Sequence, residues 1–292
     1  MRIFLFTLLL CIFTFPDLHA SGAFPMDDAS TSLIGSTMSH TIRDGETLVI
    51  LARAYDVGYN EITFANPDVD PWVAETGTQA VIPTSWLLPE ILHKGILINL
   101  AEMRLYYFFT IDRTNYVSTY PIGIGREGFN TPTGDYRVTL KVKDPIWKVP
   151  EDIRKEKPEL PAFVHPGEDN PLGKYWLQLS VDGYGIHGTN KPYGIGRRVS
   201  HGCIRLYPED IEILSNFIEP GTPVKIINEP VKVGVVHGHV FIEVHRQEDS
   251  GLDLMNLAVM KLSRKHLLEK IDTPLLIEAV NSATGLPANI SK

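Results

Sequence analysis

The residues best placed to do covalent chemistry lie in one stretch, "YGIHGTNKPYGIGRRVSHGCIRLYPEDI", starting at Tyr184. It holds His187-Gly188-Thr189 and, with twelve residues between His187 and Ser200, Ser200-His201-Gly202-Cys203-Ile204-Arg205. A thiol becomes a good nucleophile as thiolate, and an imidazole or cation beside it supplies that shift. Two histidines and Arg205 sit close in sequence to Cys203. Gly188 and Gly202 let backbone approach a substrate closely. Amides at or just before the cysteine can stabilise a developing oxyanion, a contribution of ~3 kcal/mol. The pattern suits acyl transfer through sulfur. Sequence distance alone does not fix which histidine is the base. His201 is nearer, but two positions before the cysteine on an extended chain it shares its face, whereas a histidine on a neighbouring strand, such as His187, can approach end-on. A zinc site from His187, His201 and Cys203 has three ligands, no fourth, and none of the usual ligand spacings.

Cysteine use sharpens this reading. The chain has two cysteines, Cys11 and Cys203, in 292 residues. Arg2, the apolar run Ile3 to Phe15 and the small-residue end at Leu18-His19-Ala20 form an export signal over residues 1–20. That run is shorter than the ~20 apolar residues a bilayer span takes. Cleavage after Ala20 removes Cys11 and leaves a lone thiol, which points to a reactive one in an oxidising compartment. Hydrophobic residues make up 43% and charged residues 21%, as in ordinary globular proteins. The formal charge of -8, without a basic stripe, excludes nucleic acid as the main partner.

These groups need elements to position them. Residues 21–38 are rich in Ser, Thr, Gly and Asp and read as a linker. A short strand at His40 to Ile42 is followed by a helix with Leu48, Leu51, Ala52 and Tyr55 on one face, started at Asp44 or Glu46. A second helix at Glu61 to Ala65 closes at Asn66-Pro67, and a second strand runs from Ala80. From Gly95 the texture turns to strands: Ile96 to Asn99, Arg104 to Phe109, Tyr116 to Ile122, Gly134 to Val142, Lys174 to Val181, Tyr184 to His187 and Val224 to Ile227. Pro208 to Phe217 is the one helix there, with Ile211, Leu214 and Ile218 on one face. The proline-rich stretch from Gly125 to Gly173, and Trp147 to Phe163 within it, reads as an ordered lid. In residues 229–292, Val240 to Val244 is a strand, while Leu252 to Ile271 and Pro274 to Ser282 are helices. His237, His239 and His245 are explained by alternation along a strand rather than by metal.

Two resemblances organise these elements. Residues 39–84 resemble a LysM module, a small βααβ domain, through Asp44-Gly45-Glu46-Thr47-Leu48, Ala52, Tyr55, Ile62, Ala65-Asn66-Pro67 and Ile82-Pro83. This implies N-acetylglucosamine-polymer binding near Gly45 to Leu48 and the Ile62 to Pro67 loop. Residues 93–228 resemble the L,D-transpeptidase (YkuD-type) catalytic domain. The match lies in His187 and Ser200-His201-Gly202-Cys203 with Arg205, supported by "NLAEMRLYYF", "PIGIG…NTPTGDYRV" and "DNPLGKYWLQL". The chain looks closest to the periplasmic, LysM-bearing subgroup that links lipoprotein or murein peptides. The implied fold is mainly β (α+β): a β-sandwich or barrel-like catalytic domain after the βααβ module, with a C-terminal helical extension.

The implied chemistry is attack by Cys203 on a peptidoglycan stem tetrapeptide at the L-centre of meso-diaminopimelate, loss of D-Ala, and transfer of the thioester to an amine. Water in place of the amine would make the same residues a carboxypeptidase, and an inert fold would leave a murein-binding adaptor. His187 is the implied base, with the Gly188 carbonyl on its other nitrogen. His201 would lie beside the thiol. Ser200, Gly202 and Arg205 would order the site, with the Gly202 and Cys203 amides as oxyanion donors. Arg198, Thr131 and Tyr193 are candidate substrate contacts, and Trp176 a candidate pocket wall. No cofactor or metal is implied. The implied partners are stem peptides, glycan strands and a candidate outer-membrane lipoprotein or other protein lysine; the implied location is the periplasm, without a membrane anchor after signal cleavage.

Overall fold

A computed structural model describes residues 22–26, 32–91, 93–247 and 251–292. The expected leader over 1–20, with Cys11, lies outside these residues. The centre is a mainly β unit. Nine strands form one sheet, in the order Phe24–Met26, Thr114–Pro121, Arg104–Ile111, Gly95–Asn99, Pro223–Ile227, Gly134–Lys143, Tyr175–Leu179, Gly185–His187 and Ile204–Arg205. Most neighbours are antiparallel, but Pro223–Ile227 runs parallel to Gly95–Asn99, and Ile204–Arg205 parallel to Gly185–His187.

Strand alternation explains which side faces what. Ile96, Ile98, Leu105, Val138, Leu177, Ile186, Ile204 and Val224 point into one core. The helix expected from the Ile211, Leu214, Ile218 spacing packs on that face, and all three side chains are fully buried. The intervening Leu97, Tyr106, Phe108 and Val117 point the other way and pack against the N-terminal unit.

That unit has strand Met38–Thr41, helix α1 (Leu48–Ala54), helix α2 (Tyr59–Ala65) and strand Gln79–Ile82, the two strands pairing antiparallel. The helix start falls at Thr47, whose side chain caps Ile50 N–H, and not at Asp44 or Glu46. Burial of Leu48, Leu51 and Ala52 accounts for the stripe seen in the sequence.

The next two helices serve the catalytic unit: α3 (Glu151–Glu156) in the proline-rich excursion and α4 (Pro208–Ser215) on the core. The C-terminal unit adds α5 (Leu254–Arg264) and α6 (Thr273–Ser282).

Two expectations change. Residues 21–38 are not plain linker: Phe24–Met26 joins the edge of the large sheet and Leu33–Gly35 pairs with Ser85–Leu87. Available sheet edges recruit these short apolar triplets, a non-local effect that composition does not carry. The C-terminal extension is not only helical. A hairpin, Val231–Val236 with His239–Val244, makes a three-stranded sheet with Ala288–Asn289 under the two helices. The helix expected to run to Ile271 stops at Arg264, followed by His266 in the left-handed region at φ 55°.

Buried charges join the units. Arg104, fully buried on its strand, makes two bonds to the Glu61 carboxylate of α2 at 2.8 Å and stacks 4.1 Å from the Trp86 ring. Across the other junction, Lys232 Nζ pairs with Glu102 at 2.5 Å and Glu243 at 2.7 Å, and His245 Nε2 meets Glu243 at 2.7 Å. Donor atoms of Glu102, Glu243 and His245 lie within 4.8 Å of one another, but the Lys232 ammonium already sits between the two carboxylates. Among the described residues no helix is long and apolar enough to cross a membrane.

Candidate active site

The last two strands of the sheet, parallel to each other, assemble the site. Ile186 pairs with Ile204 and His187 with Arg205. Cys203 precedes that strand, so the two-residue period puts Cys203, Arg205 and His187 on one face, opposite the core-facing Ile186 and Ile204. The histidine thus comes from a neighbouring strand.

The turn Ser200 to Cys203 is closed by its own serine. Ser200 Oγ donates to the Cys203 carbonyl at 2.6 Å and accepts from Gly202 N–H at 3.0 Å. Gly202 takes φ +107°, and a Cβ there would strike the Tyr184 ring, so glycine is required. Thr131 Oγ1 donates to the Gly202 carbonyl at 2.8 Å and accepts from Gly125 N–H at 3.1 Å. The turn is held from both sides.

His187 is buried, its Nδ1 2.6 Å from the Gly188 carbonyl. That carbonyl can only accept, so Nδ1 carries the proton and Nε2 is left as acceptor. Burial first, and the Arg205 charge second, push its pKa down to about 3 against the pull of the Gly188 and Leu172 carbonyls. Burial also raises the Cys203 thiol, with the Gly185 backbone and Arg205 pulling it back. Both groups are therefore neutral at rest. The Cys203 sulfur is half-buried and lies 3.5 Å from the Gly183 carbonyl. Trp176 packs on the imidazole, ring centres 5.6 Å apart.

Several site expectations are redrawn. The Gly202 amide is occupied by Ser200, whereas the Cys203 amide is unpartnered among the described residues. His201 does not share the thiol's face: no strand runs through 201–203, and its Nε2 turns to Arg126 at 2.9 Å and Glu156 at 3.2 Å. The Thr131 hydroxyl is committed to backbone and fixes the turn rather than a substrate. Tyr193 is exposed on the turn Pro192–Gly194, within electrostatic reach of Arg53 on α1. Arg198 reaches the Asn130 side chain at 2.9 Å. Arg205 keeps its buried Nε without a partner among the described residues, beside His187 and Cys203.

Other contributors escaped sequence reasoning. Glu156, at the end of α3, brings the excursion onto His201 and Arg126. Asn170, fully buried, donates to the Pro145 carbonyl at 2.7 Å and so closes the base of that excursion, two residues before Leu172, whose carbonyl faces His187. Asn170 stands in the quoted "DNPLGKYW", but its partner 25 positions away gives no local signal.

Comparison with known proteins shows the family. The L,D-transpeptidase catalytic domain family, YkuD, matches residues 93–226. The chain is 41% identical over 243 residues to Probable L,D-transpeptidase YcfS of Escherichia coli K12, covering 80% of this chain and 75% of that protein. It is 37% identical to Probable L,D-transpeptidase YbiS of the same organism, covering 92% of each. It is 36% identical to Probable L,D-transpeptidase ErfK/SrfK of Salmonella typhimurium LT2, covering 92% of this chain and 91% of that one. On this extent of likeness the chain belongs to the L,D-transpeptidase family of peptidoglycan enzymes.

Proposed function

We propose that the protein is an exported peptidoglycan L,D-transpeptidase that works through a thioester on Cys203, with His187 as base. The carrying observation is the His187 ring on the neighbouring strand, its Nδ1 held by Gly188 and its Nε2 left to accept, on the same face as the thiol. The resting groups are neutral, so the proton moves from sulfur to Nε2 as sulfur adds to the scissile carbonyl. The Cys203 amide faces the resulting oxyanion. The His187 imidazolium then protonates the departing D-Ala amine, the C–N bond breaks, and the thioester remains. An acceptor amine attacks, gives its proton to His187 and leaves as the new amide, while the thiol recovers its proton.

Arg205, cationic and with an unpartnered buried Nε, is suited to a substrate carboxylate. The acceptor is a second stem peptide or a lysine of an outer-membrane protein. The N-terminal unit, a LysM module by its residues and its strand-helix-helix-strand order, binds glycan, and the enzyme acts in the periplasm.

The test is intact mass after exposure to a stem tetrapeptide. Wild type should gain the mass of the tetrapeptide less that of D-Ala, and the gain should vanish in Cys203→Ala and fall at least ~100-fold in rate in His187→Ala. Added amine should convert the adduct to a crosslinked product. A Cys203→Ala protein that still forms that product ends the proposal.

A further inference from the structure

A cavity of about 440 Å³ opens where α2, the segment Arg197 to Val199 and the C-terminal unit meet. Its walls include Tyr59, Phe64, Arg197, Arg198 and Arg246. The charge inside is one-sided. The acidic wall residues are committed elsewhere, Glu61 to Arg104 and Glu102 to the Lys232 ammonium that it shares with Glu243. The three arginines meet no carboxylate among the described residues. Within that same set, Arg198 bonds only the neutral Asn130 amide, and the guanidiniums of Arg197 and Arg246 have neither hydrogen bond nor ion pair. In a chain of formal charge -8, three unpaired arginines around one cavity are a local inversion of sign.

Two of them are splinted. The Arg197 Cζ lies 3.9 Å over the Tyr59 ring, and the Arg246 Cζ lies 5.0 Å over the Phe64 ring. Stacking fixes the guanidinium plane and leaves its N–H edge free. A fork held this way receives a planar carboxylate through two parallel bonds, with little side-chain ordering left to lose on binding.

We propose that this cavity is a subsite for an anionic peptide bearing two or more free carboxylates, gripped by Arg197 and Arg246. The inference rests on the reading of Cys203 as acting on wall peptides and adds a second recognition point for them. A relay of contacts runs from the cavity to the catalytic turn. Arg198 holds Asn130, and the next residue, Thr131, holds the carbonyl of Gly202, the residue before Cys203. The strand Arg198–Ser200 leads from the cavity into the catalytic turn. Carboxylates of a peptide whose scissile bond lies at the sulfur, or of the peptide that will accept it, have a cationic berth along that strand.

Binding is measured by calorimetry on Cys203→Ala protein, which cannot turn over. One ligand is a stem tetrapeptide with all carboxylates free. The other has the carboxylates upstream of the scissile bond amidated and the terminal one kept. The free acid should bind at least tenfold more tightly, its affinity should fall steeply with added salt, and Arg197→Gln with Arg246→Gln should remove the preference. Equal affinity for the two peptides, or a preference that survives the double substitution, overturns the proposal. If the double variant melts early, Arg246→Gln alone, at an exposed position, is used with the salt series: a reduced preference and a shallower salt slope support the subsite, and unchanged values overturn it. Intact mass of the wild type separates the two readings. A peptide that shows the carboxylate preference yet never acylates Cys203 defeats the thioester reading alone. One that acylates Cys203 equally fast in both forms defeats the subsite alone.

Discussion

At the scale of single residues, the resting state of the Cys203–His187 pair decides how the thiol behaves. Burial moves the two pKa values apart, the imidazole down to about 3 and the thiol up. A proton therefore stays on sulfur and the ring stays neutral across the physiological range; the two groups are a thiol and a neutral imidazole, not a thiolate–imidazolium ion pair. Alkylation of Cys203 by iodoacetamide should rise with pH only beyond an ordinary thiol's value of about 9, with no inflection near the ~6.5 of a free imidazole. Thiolate absorbance that reaches its plateau between about pH 6 and 7 would sink this account. The sequence alone put Cys203 and His187 forward as candidates, because a lone thiol and Gly-flanked histidines are visible without a fold. The competition for the Gly202 amide was not, since Ser200 captures it only once the turn closes. Nor was the commitment of Thr131, whose acceptor lies 71 positions away.

At the scale of elements, the excursion is held at two points. The excursion bearing α3 is anchored at its base by buried Asn170, while α3 itself buries no side chain. Its distal hold is Glu156, 2.7 Å from Arg126 and 3.2 Å from His201, with His201 and then Arg126 holding the carboxyl below its ordinary range. All three groups are partly or largely exposed, so salt weakens the hold. Glu156→Gln should leave the melting temperature nearly unchanged while trypsin cuts at Arg154 and Lys155 severalfold faster, and high salt should speed cleavage of the wild type in the same way. Cleavage at an unchanged rate would show that α3 is held by something else. Proline content marked this stretch as an ordered excursion; the residue that fastens it was hidden, because one glutamate among several carries no sign of a partner 45 positions on. The missed hairpin strand Val231–Val236 has a similar cause: Lys232 and Gly234 interrupt its apolar pattern, and Lys232 is buried only because Glu102 and Glu243 await it.

For the whole molecule, the junctions between units carry ionisable groups that titrate together. Asp56, at the end of α1, and Asp210, on α4, are buried against each other; burial lifts Asp56 to about 6 and Asp210 well above its ordinary value. Neither Asp56 oxygen has a hydrogen-bond partner among the described residues. A carboxyl raised on folding keeps a proton that the unfolded chain has released, so this pair removes stability as pH rises from about 4 through about 6 and beyond. An amide at position 210 offers Asp56 a donor and lets it ionise. Asp210→Asn should therefore gain on the wild type by roughly 1–3 kcal/mol between pH 4 and 7, read from urea unfolding. A difference independent of pH would mean the two carboxyls do not share a proton. The backbone contact between α2 and the segment before the catalytic turn has a further result. The first amides of α2, Tyr59 and Asn60, are capped by the carbonyls of Ile195 and Gly196, and a Cβ on Gly196 would collide with Gly58 and Tyr59. A glycan bound by the N-terminal unit, as proposed above, would thereby be carried at one fixed offset from the sulfur, which would make the enzyme a ruler on its polymer and not a warhead on a tether.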